Sequence, residues 1–366
     1  MLSLVMSCVD PYQPPFTNEI TNILVVDGFI NTSDQSATVK LTRAVRLSDA
    51  KAPSSEKKAI VSIEEQGGAV TSLAETGNGI YSRKGIALNS SKNYRLIITA
   101  ADGKKYTSDF ITLQQTPPID GVRWGTSPDG VNIYVNTHDP SGTKLFYRWN
   151  FVETWLYNSA FYSSIKLVNG AVVLRSDAEN IFDCWKTVSS SDILISSTVR
   201  LSETTIRDFP ITTIPKGSQK LLIRYSLQVN QFSLSKEAYD YWQQLRKTTT
   251  NLGGLFDPLP SQVTGNVHSE SDPMESVLGF FSGGSVSSKR IFISLNDLPP
   301  ALKVSRNIGD CTMDSVLVKD VKSVVGVAFL LVSPYGTPFT IGYQYSSVGC
   351  VDCRKQGGTT TRPDFW

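Results

Sequence analysis

Short segments in which apolar and polar residues alternate run through most of the chain, separated by turn-forming residues. Alternation with a period of two is typical of β-strands that bury one face. In the first third of the chain, such segments are residues 23–30, 37–44, 59–64, 79–83 and 94–100. The pair Asp102-Gly103, just after the last of them, is a hairpin signal. The pattern predicts a β-sandwich over residues 20–116.

Consecutive prolines, Pro117 and Pro118, interrupt this alternation. Proline donates no backbone hydrogen bond and biases the preceding residue to extended geometry, so we place a domain boundary here. Strand-like segments resume at 131–136 and continue to 324–332, which predicts a second domain over residues 119–366. The first domain resembles immunoglobulin-like or transthyretin-like sandwiches. The expected fold class is therefore mainly β, with a second sandwich-like domain after the first.

One segment of the second domain departs from the strand pattern. Ser233 and Ser235 are capping candidates on either side of Leu234, and Leu234, Ala238, Tyr241 and Leu245 recur at helical spacing. This spacing predicts one inserted amphipathic helix over residues 234–248. An apolar stripe of this kind packs against a sheet far more often than it binds a ligand, so we expect a structural role for it.

Charge and hydropathy argue against two kinds of partner or location. Lysine plus arginine total 35 against 33 aspartate plus glutamate, so the chain lacks the basic footprint of a nucleic-acid-binding protein. The longest apolar run, residues 324–332, is about half of the ~18 residues that a membrane-spanning helix requires. We therefore expect no nucleic acid partner and no membrane span in the body of the protein.

The first residues resemble the end of a lipoprotein signal peptide. Cys8 directly follows a small residue, Ser7, at the end of a short apolar run, which is the pattern that lipoprotein signal peptidase recognises. We expect residues 1–7 to be a remnant of that signal, with the true start further upstream. Residues 8–19 would form a lipidated tether that holds the body on a membrane. The alternative is that Cys8 is an ordinary thiol.

Four further cysteines, Cys184, Cys311, Cys350 and Cys353, are an even number in a chain expected to fold in an oxidising compartment. Two disulfides, stapling the C-terminal tail, are the natural interpretation, and the sequence leaves all three pairings open. The alternative is a tetrahedral zinc site, but only one of its pairs of ligands would be closely spaced. We therefore expect no metal site.

Candidate catalytic residues are sparse. His138 and His268 lie in turn-rich or polar stretches and are expected to be solvated loop residues. The sequence contains no Gly-x-Ser-x-Gly elbow and no glycine loop with lysine for phosphate. Glu153 is the best single candidate for a glycosidase acid, but a strand usually holds such a glutamate in a hydrogen bond or salt bridge. We expect no enzymatic activity and no cofactor.

The apolar segment after the predicted helix is the candidate contact surface. Leucines and a phenylalanine beside two prolines form a patch that loses little entropy on binding. The alternative is that the same side chains fold back onto the domain's own core. The candidate contact residues are Leu252, Leu255, Phe256, Pro258, Leu259, Pro260 and Asn266.

Several motifs together resemble one family of exported proteins. They are Cys8-Val9-Asp10-Pro11, Tyr147-Arg148-Trp149 with Glu153-Thr154, Cys184-Trp185, Tyr241-Trp242, GGLFDPLPSQVTGNV, VLGFF and the tail CVDCRKQGGTTTRPDFW. Over essentially the whole mature chain, the sequence resembles a family of Bacteroidota outer-membrane lipoproteins known as a domain of unknown function. Members of that family are encoded beside SusC-like TonB-dependent receptors. The resemblance implies a lipid-anchored protein, facing the cell surface, with an accessory role in uptake.

Two functions from different classes remain. The favoured one is a binding protein that docks on a TonB-dependent outer-membrane receptor during nutrient uptake. The alternative is a free-standing surface glycan-binding protein or glycan hydrolase, since six tryptophans and fourteen tyrosines offer a platform for sugars. The burial of the aromatic side chains distinguishes these two functions. A coplanar row of exposed tryptophan and tyrosine rings favours sugars, whereas an exposed aliphatic loop with the aromatic residues inside favours a protein partner.

Overall fold

The computed structural model describes residues 22–44, 52–250, 263 and 265–366. It is mainly β, as the alternation predicted. The strands are β1 (Leu24–Asn31), β2 (Ser36–Arg43), β3 (Ser54–Ser55), β4 (Ile60–Glu65), β5 (Val70–Gly77), β6 (Ile80–Lys84), β7 (Asn93–Thr99), β8 (Lys105–Ser108), β9 (Ile111–Thr112), β10 (Ile119–Ser127), β11 (Gly130–His138), β12 (Phe146–Asn158), β13 (Ile165–Val168), β14 (Ala171–Leu174), β15 (Asp183–Ser189), β16 (Leu194–Ser197), β17 (Thr205–Pro215), β18 (Arg224–Leu234), β19 (Val267–Ser269), β20 (Val277–Gly284), β21 (Val286–Ser294), β22 (Asp314–Leu317), β23 (Phe329–Tyr335) and β24 (Gly342–Ser347). The helices are α1 (Lys236–Thr250), α2 (Val321–Val324) and α3 (Val348–Val351).

The chain divides into two compact units. Among the described residues, the first unit contains those up to Leu113 together with a later stretch that ends at Gly283. The second unit contains the residues from Gln114 to α1 and those from Gly284 to the end of the chain. Each unit has its own apolar core.

The first unit is built on one continuous sheet. Its strand order is β19-β8-β7-β4-β5-β6-β2-β1-β20, with β3 beside β2 and β9 beside β7. Alternate residues of these strands are buried, as Tyr94, Leu96 and Ile98 are in β7. These side chains pack in one cluster with those of β1 and β2, so the sheet folds over a single core. The alternation of the sequence thus marks the buried face of each strand.

Strands β19 and β20 differ from the predicted domain division. The sequence pattern predicts that residues 119–366 form the second domain, but β19 pairs with β8 and β20 pairs with β1. Val267 and Phe281 are buried in the core of the first unit. A Cβ atom at Gly28 would lie 2.8 Å from Cδ2 of Phe281, so the ring packs where only glycine leaves room. The chain therefore returns to the first unit before it completes the second.

The second unit contains two sheets that enclose a common core. A sheet of order β10-β11-β17 and a sheet of order β15-β12-β18-β21, with β16 beside β12, contribute its residues. Ile133 of β11, Trp149 of β12 and Leu227 of β18 are fully buried in one cluster. Two sheets sharing one core is the architecture predicted for this part of the chain.

Helix α1 lies close to its predicted position. Ala238 and Tyr241 are buried, and the helix contacts β12, β16 and β18, so its apolar stripe packs against a sheet as expected. It begins two residues later than predicted because Leu234 is the last residue of β18 and pairs with Phe146. Ser235 caps the helix through its hydroxyl, which accepts a hydrogen bond from the backbone of Ala238 at 3.2 Å.

The C-terminal part of the second unit adds smaller elements. The hairpin of β13 and β14 packs on a three-stranded sheet of order β22-β24-β23. Ile165, Val321 and Leu331 form the centre of this small core. Within the described residues, no helix has the length and apolar character needed to cross a membrane.

Candidate functional site

Glu153, the candidate acid, is buried in the second unit with only 8% of its surface exposed. Its Oε1 lies 2.6 Å from Nζ of Lys220, and its Oε2 accepts a hydrogen bond from the hydroxyl of Tyr225 at 3.0 Å. Burial raises the pKa of the Tyr225 hydroxyl well above its ordinary value, and the nearby carboxylate of Glu153 raises it further. Both oxygens of Glu153 are therefore used in an ion pair and a hydrogen bond, as expected for a glutamate on a strand.

The two histidines lie at the surface and are paired with aspartates. His138 is the last residue of β11, and its Nδ1 is 2.8 Å from Oδ1 of Asp120. His268 lies in β19, and its Nε2 is 3.4 Å from Oδ1 of Asp109. Both are strand residues rather than the loop residues that the sequence predicts, and their side chains are exposed as predicted.

The four downstream cysteines form two disulfides, which confirms that prediction. Cys184 is bonded to Cys353, and Cys311 is bonded to Cys350. The structure thus selects one of the three pairings that the sequence left open. Among the described residues, no group of three or more histidine, cysteine, aspartate or glutamate side chains has the arrangement of a metal site.

Most of the predicted contact loop lies outside the described residues, as Cys8 does. This applies to Leu252, Leu255, Phe256, Pro258, Leu259 and Pro260. Asn266 lies within them and is only 7% exposed. Its Nδ2 donates to the carbonyl of Phe281, and its Oδ1 accepts from the amide of Phe281, each at 2.8 Å. Since buried polar groups need partners, this side chain serves the core of the first unit rather than a contact surface.

The tryptophans are withdrawn from the surface, whereas Tyr162, Phe339 and several aliphatic side chains are exposed. All six tryptophans are buried or half-buried, and Trp149, Tyr147 and Tyr225 are completely buried. The aliphatic loop needed to distinguish a sugar platform from a protein-binding surface, residues 252–260, lies outside the described residues.

Four exposed apolar residues lie together at one end of the β22-β24-β23 sheet. We call this group the apolar rim: Leu317, Val318, Phe339 and Ile341. The backbone amide of Val318 donates to the carbonyl of Ile341 at 3.3 Å, and Leu317 pairs with Gly342, so the members are close in space. Phe339 is 80% and Ile341 is 56% exposed. No sequence pattern predicts the rim, because apolar residues at or beside the ends of short strands are common.

A cleft of about 200 Å³ lies in the second unit, beside the disulfides. Its lining includes Trp155, Tyr157, Lys186, Arg306, Asn307 and Gln356, together with the disulfide cysteine Cys311. Apart from the cysteine, sequence reasoning assigned none of these residues to a site. The cysteines are the sequence feature that could have pointed to this cleft, because the bonds they form bring distant segments of the chain together.

Comparison with known proteins gives a family but no function. A family model described as a domain of unknown function (DUF4249) matches residues 9–290. No curated protein matches the chain. Among solved structures, the chicken interferon gamma receptor alpha chain is 11% identical, and the match covers 58% of this chain and 89% of that chain with a TM-score of 0.17. Because the family match spans most of the sequence, the chain belongs to the DUF4249 family of domains of unknown function.

Proposed function

We propose that this protein is a lipid-anchored binding protein of the outer membrane that docks on a SusC-like TonB-dependent transporter and assists nutrient uptake. Three features support the proposal. The chain belongs to DUF4249, it resembles Bacteroidota lipoproteins encoded beside such receptors, and Cys8 stands where a lipoprotein is acylated. The protein acts through binding, without chemistry of its own.

The observation that carries the proposal is the apolar rim. Exposed contiguous apolar surface is costly in water and commonly marks a protein interface. The rim joins an exposed aromatic ring at Phe339 to aliphatic side chains, while every tryptophan is buried or half-buried. This arrangement favours a protein partner over a carbohydrate platform. The partner we propose is the transporter, because a lipid at Cys8 would hold both proteins in one membrane.

The test is a mild-detergent purification of the full-length lipoprotein from its native outer membrane, with mass spectrometry of the proteins that co-purify. A TonB-dependent barrel in stoichiometric amount is the expected result. Recovery of the lipoprotein alone, with binding to a glycan array, would overturn the proposal in favour of a free-standing glycan-binding protein.

A matched pair of variants tests the rim itself. Phe339→Ser combined with Ile341→Ser should abolish co-purification of the barrel, because both side chains are largely exposed and their loss leaves the core intact. Met274→Ser removes another side chain that is 88% exposed, but in the first unit, and should leave co-purification unchanged. Equal recovery of the barrel with both variants would exclude the rim as the contact.

A further inference from the structure

We infer that the cleft beside the disulfides is a binding site for an anionic monosaccharide, a sugar ring that carries one negatively charged group. This goes beyond docking, since the site is complete within the second unit and requires no transporter. Aromatic rings, cations that form no salt bridge within the described residues, and carboxamides meet in the cleft, and each group recognises a different part of such a ligand.

The aromatic wall comes from alternate residues of one strand. Trp155 and Tyr157 are two positions apart in β12, so their side chains lie on the same face of the strand. The Tyr157 hydroxyl donates to the carbonyl of Cys353 at 2.8 Å, which fixes the ring. Nζ of Lys220 lies 5.0 Å from the centre of the Trp155 ring and holds it in a cation–π contact. Tyr157 is only 7% exposed and backs the wall, whereas the half-buried Trp155 can offer part of its ring to the C–H face of a sugar.

The charge of the cleft is positive. Lys186 and Arg306 line it, and its lining contains no carboxylate. Nζ of Lys186 donates to the backbone carbonyl of Gln356, and Arg306 donates to the carbonyl of Ser159. Over the ranges that the structure describes, neither cation forms a salt bridge. Two cations without a counter-charge attract an anion, and each retains N–H groups to bind it.

Carboxamides supply the polar contacts that a sugar hydroxyl needs. Asn307 and Gln356 line the cleft, and both are exposed to solvent. The Oδ1 atom of Asn307 accepts from the backbone of Gly309 at 2.9 Å, which orients the side chain and leaves its amino group able to donate. Carboxamides both donate and accept, so they match hydroxyls, which do the same.

Two disulfides hold the walls of the cleft in place. Cys311 lies in the wall that contains Arg306 and Asn307, and it is bonded to Cys350. Gln356 stands three residues after Cys353, which is bonded to Cys184. Walls fixed before binding lose little entropy when the ligand enters. The volume of about 200 Å³ limits the ligand to the size of one sugar ring.

The negative group can be a carboxylate or a phosphate, and the test separates these sources. The purified chain, without any transporter, is titrated in a calorimeter with glucuronate, glucose 6-phosphate, glucose and acetate. The expected result is that at least one charged sugar binds and that glucose and acetate do not. The charged sugar that binds more tightly shows whether the site prefers a carboxylate or a phosphate. Failure of both charged sugars to bind would overturn the proposal.

Variants locate the binding in the cleft. Lys186→Gln and Arg306→Gln should each weaken binding of the preferred sugar about tenfold, because each removes a charge-assisted hydrogen bond. Asn307→Asp places a negative charge at an exposed position of the wall and should abolish binding without affecting folding. Lys216→Gln, at an exposed lysine that does not line the cleft, is the control and should bind normally. Undiminished binding by all three cleft variants would refute the site.

Discussion

The hydroxyl of Tyr157 donates a hydrogen bond to the backbone carbonyl of Cys353, 2.8 Å away and 196 positions further along the chain. Tyr157 belongs to β12, a central strand of the second unit, and Cys353 belongs to the disulfide-bonded tail. Gly358 passes close by, because a Cβ atom at that position would lie only 2.4 Å from the same hydroxyl. The tail is thus fitted closely against the sheet.

Replacing Gly358 should therefore loosen the tail. In Gly358→Ala, the added methyl would meet the Tyr157 hydroxyl at 2.4 Å and the carbonyl of Trp185 at 3.0 Å. We expect the free energy of unfolding, measured with urea, to fall by about 1–3 kcal/mol. Gly349→Ala is the control, since nothing lies within 4 Å of its Cβ position. Equal stability of the two variants would contradict the close fit.

Two buried tyrosines should respond in opposite ways to loss of their hydroxyls. Within the described residues, the Tyr147 hydroxyl is buried without a hydrogen-bond partner, so Tyr147→Phe should leave the free energy of unfolding unchanged or raise it. Tyr225→Phe loses a 3.0 Å hydrogen bond to the buried carboxylate of Glu153 and should lower it by about 1.5–3 kcal/mol. Urea titrations of both variants check the contrast, and the reverse order would contradict it.

The disulfides should stabilise the protein to different extents. The Cys184–Cys353 bond joins residues 169 positions apart, and the Cys311–Cys350 bond joins residues 39 apart. In the chain-entropy description, they contribute about 5 and about 4 kcal/mol. Replacing both cysteines of either pair with alanine should lower Tm. The decrease should be larger for the Cys184–Cys353 pair, which closes the longer loop. Peptide mapping without reductant checks the pairing, and an unchanged Tm would show that the bond stabilises nothing.

Asn266 should matter for stability rather than for contact with a partner. In Asn266→Ala, the amide and the carbonyl of Phe281 lose their buried partners, so we expect the free energy of unfolding to fall by about 2–4 kcal/mol. His268→Ala, at an exposed side chain in the adjoining strand, should have little effect. Thermal unfolding of the two variants makes the comparison. The folded fraction of Asn266→Ala should still bind the proposed transporter. Loss of that binding would contradict a purely structural role for Asn266.

Acid should weaken one ion pair of the second unit. The carboxylate of Glu179 accepts hydrogen bonds from the side chain of Lys166 and from the backbone amide of Ser176. These two bonds lower the pKa of Glu179 from 4.5 to about 2. A pKa lowered by folding means that the stabilisation is complete above the ordinary value and is lost as the pH falls toward 2. The Tm of Glu179→Gln should therefore decline less steeply than that of the parent chain below pH 4.5. Parallel declines would exclude a role for this pair.

Local features of the sequence predicted much of the secondary structure. The alternation in β7 and the stripe of Ala238 and Tyr241 in α1 each depend on residues within one or two turns of chain, and both buried the side chains that the pattern indicated. The number of disulfides also followed from the count of cysteines. In each case, the information lies in spacing along the chain, which a reader of the sequence can see.

Tertiary structure alone decided three features of the protein: the return of β20 to the first unit, the choice of cysteine partners and the assembly of the cleft. Trp155, Lys186 and Arg306 are far apart in the sequence but line one cleft. The partner of a strand or a cysteine depends on which distant segments bury apolar surface together, and no local pattern records that choice. A binding site made of loop and strand residues is therefore visible only once the core has brought its parts together.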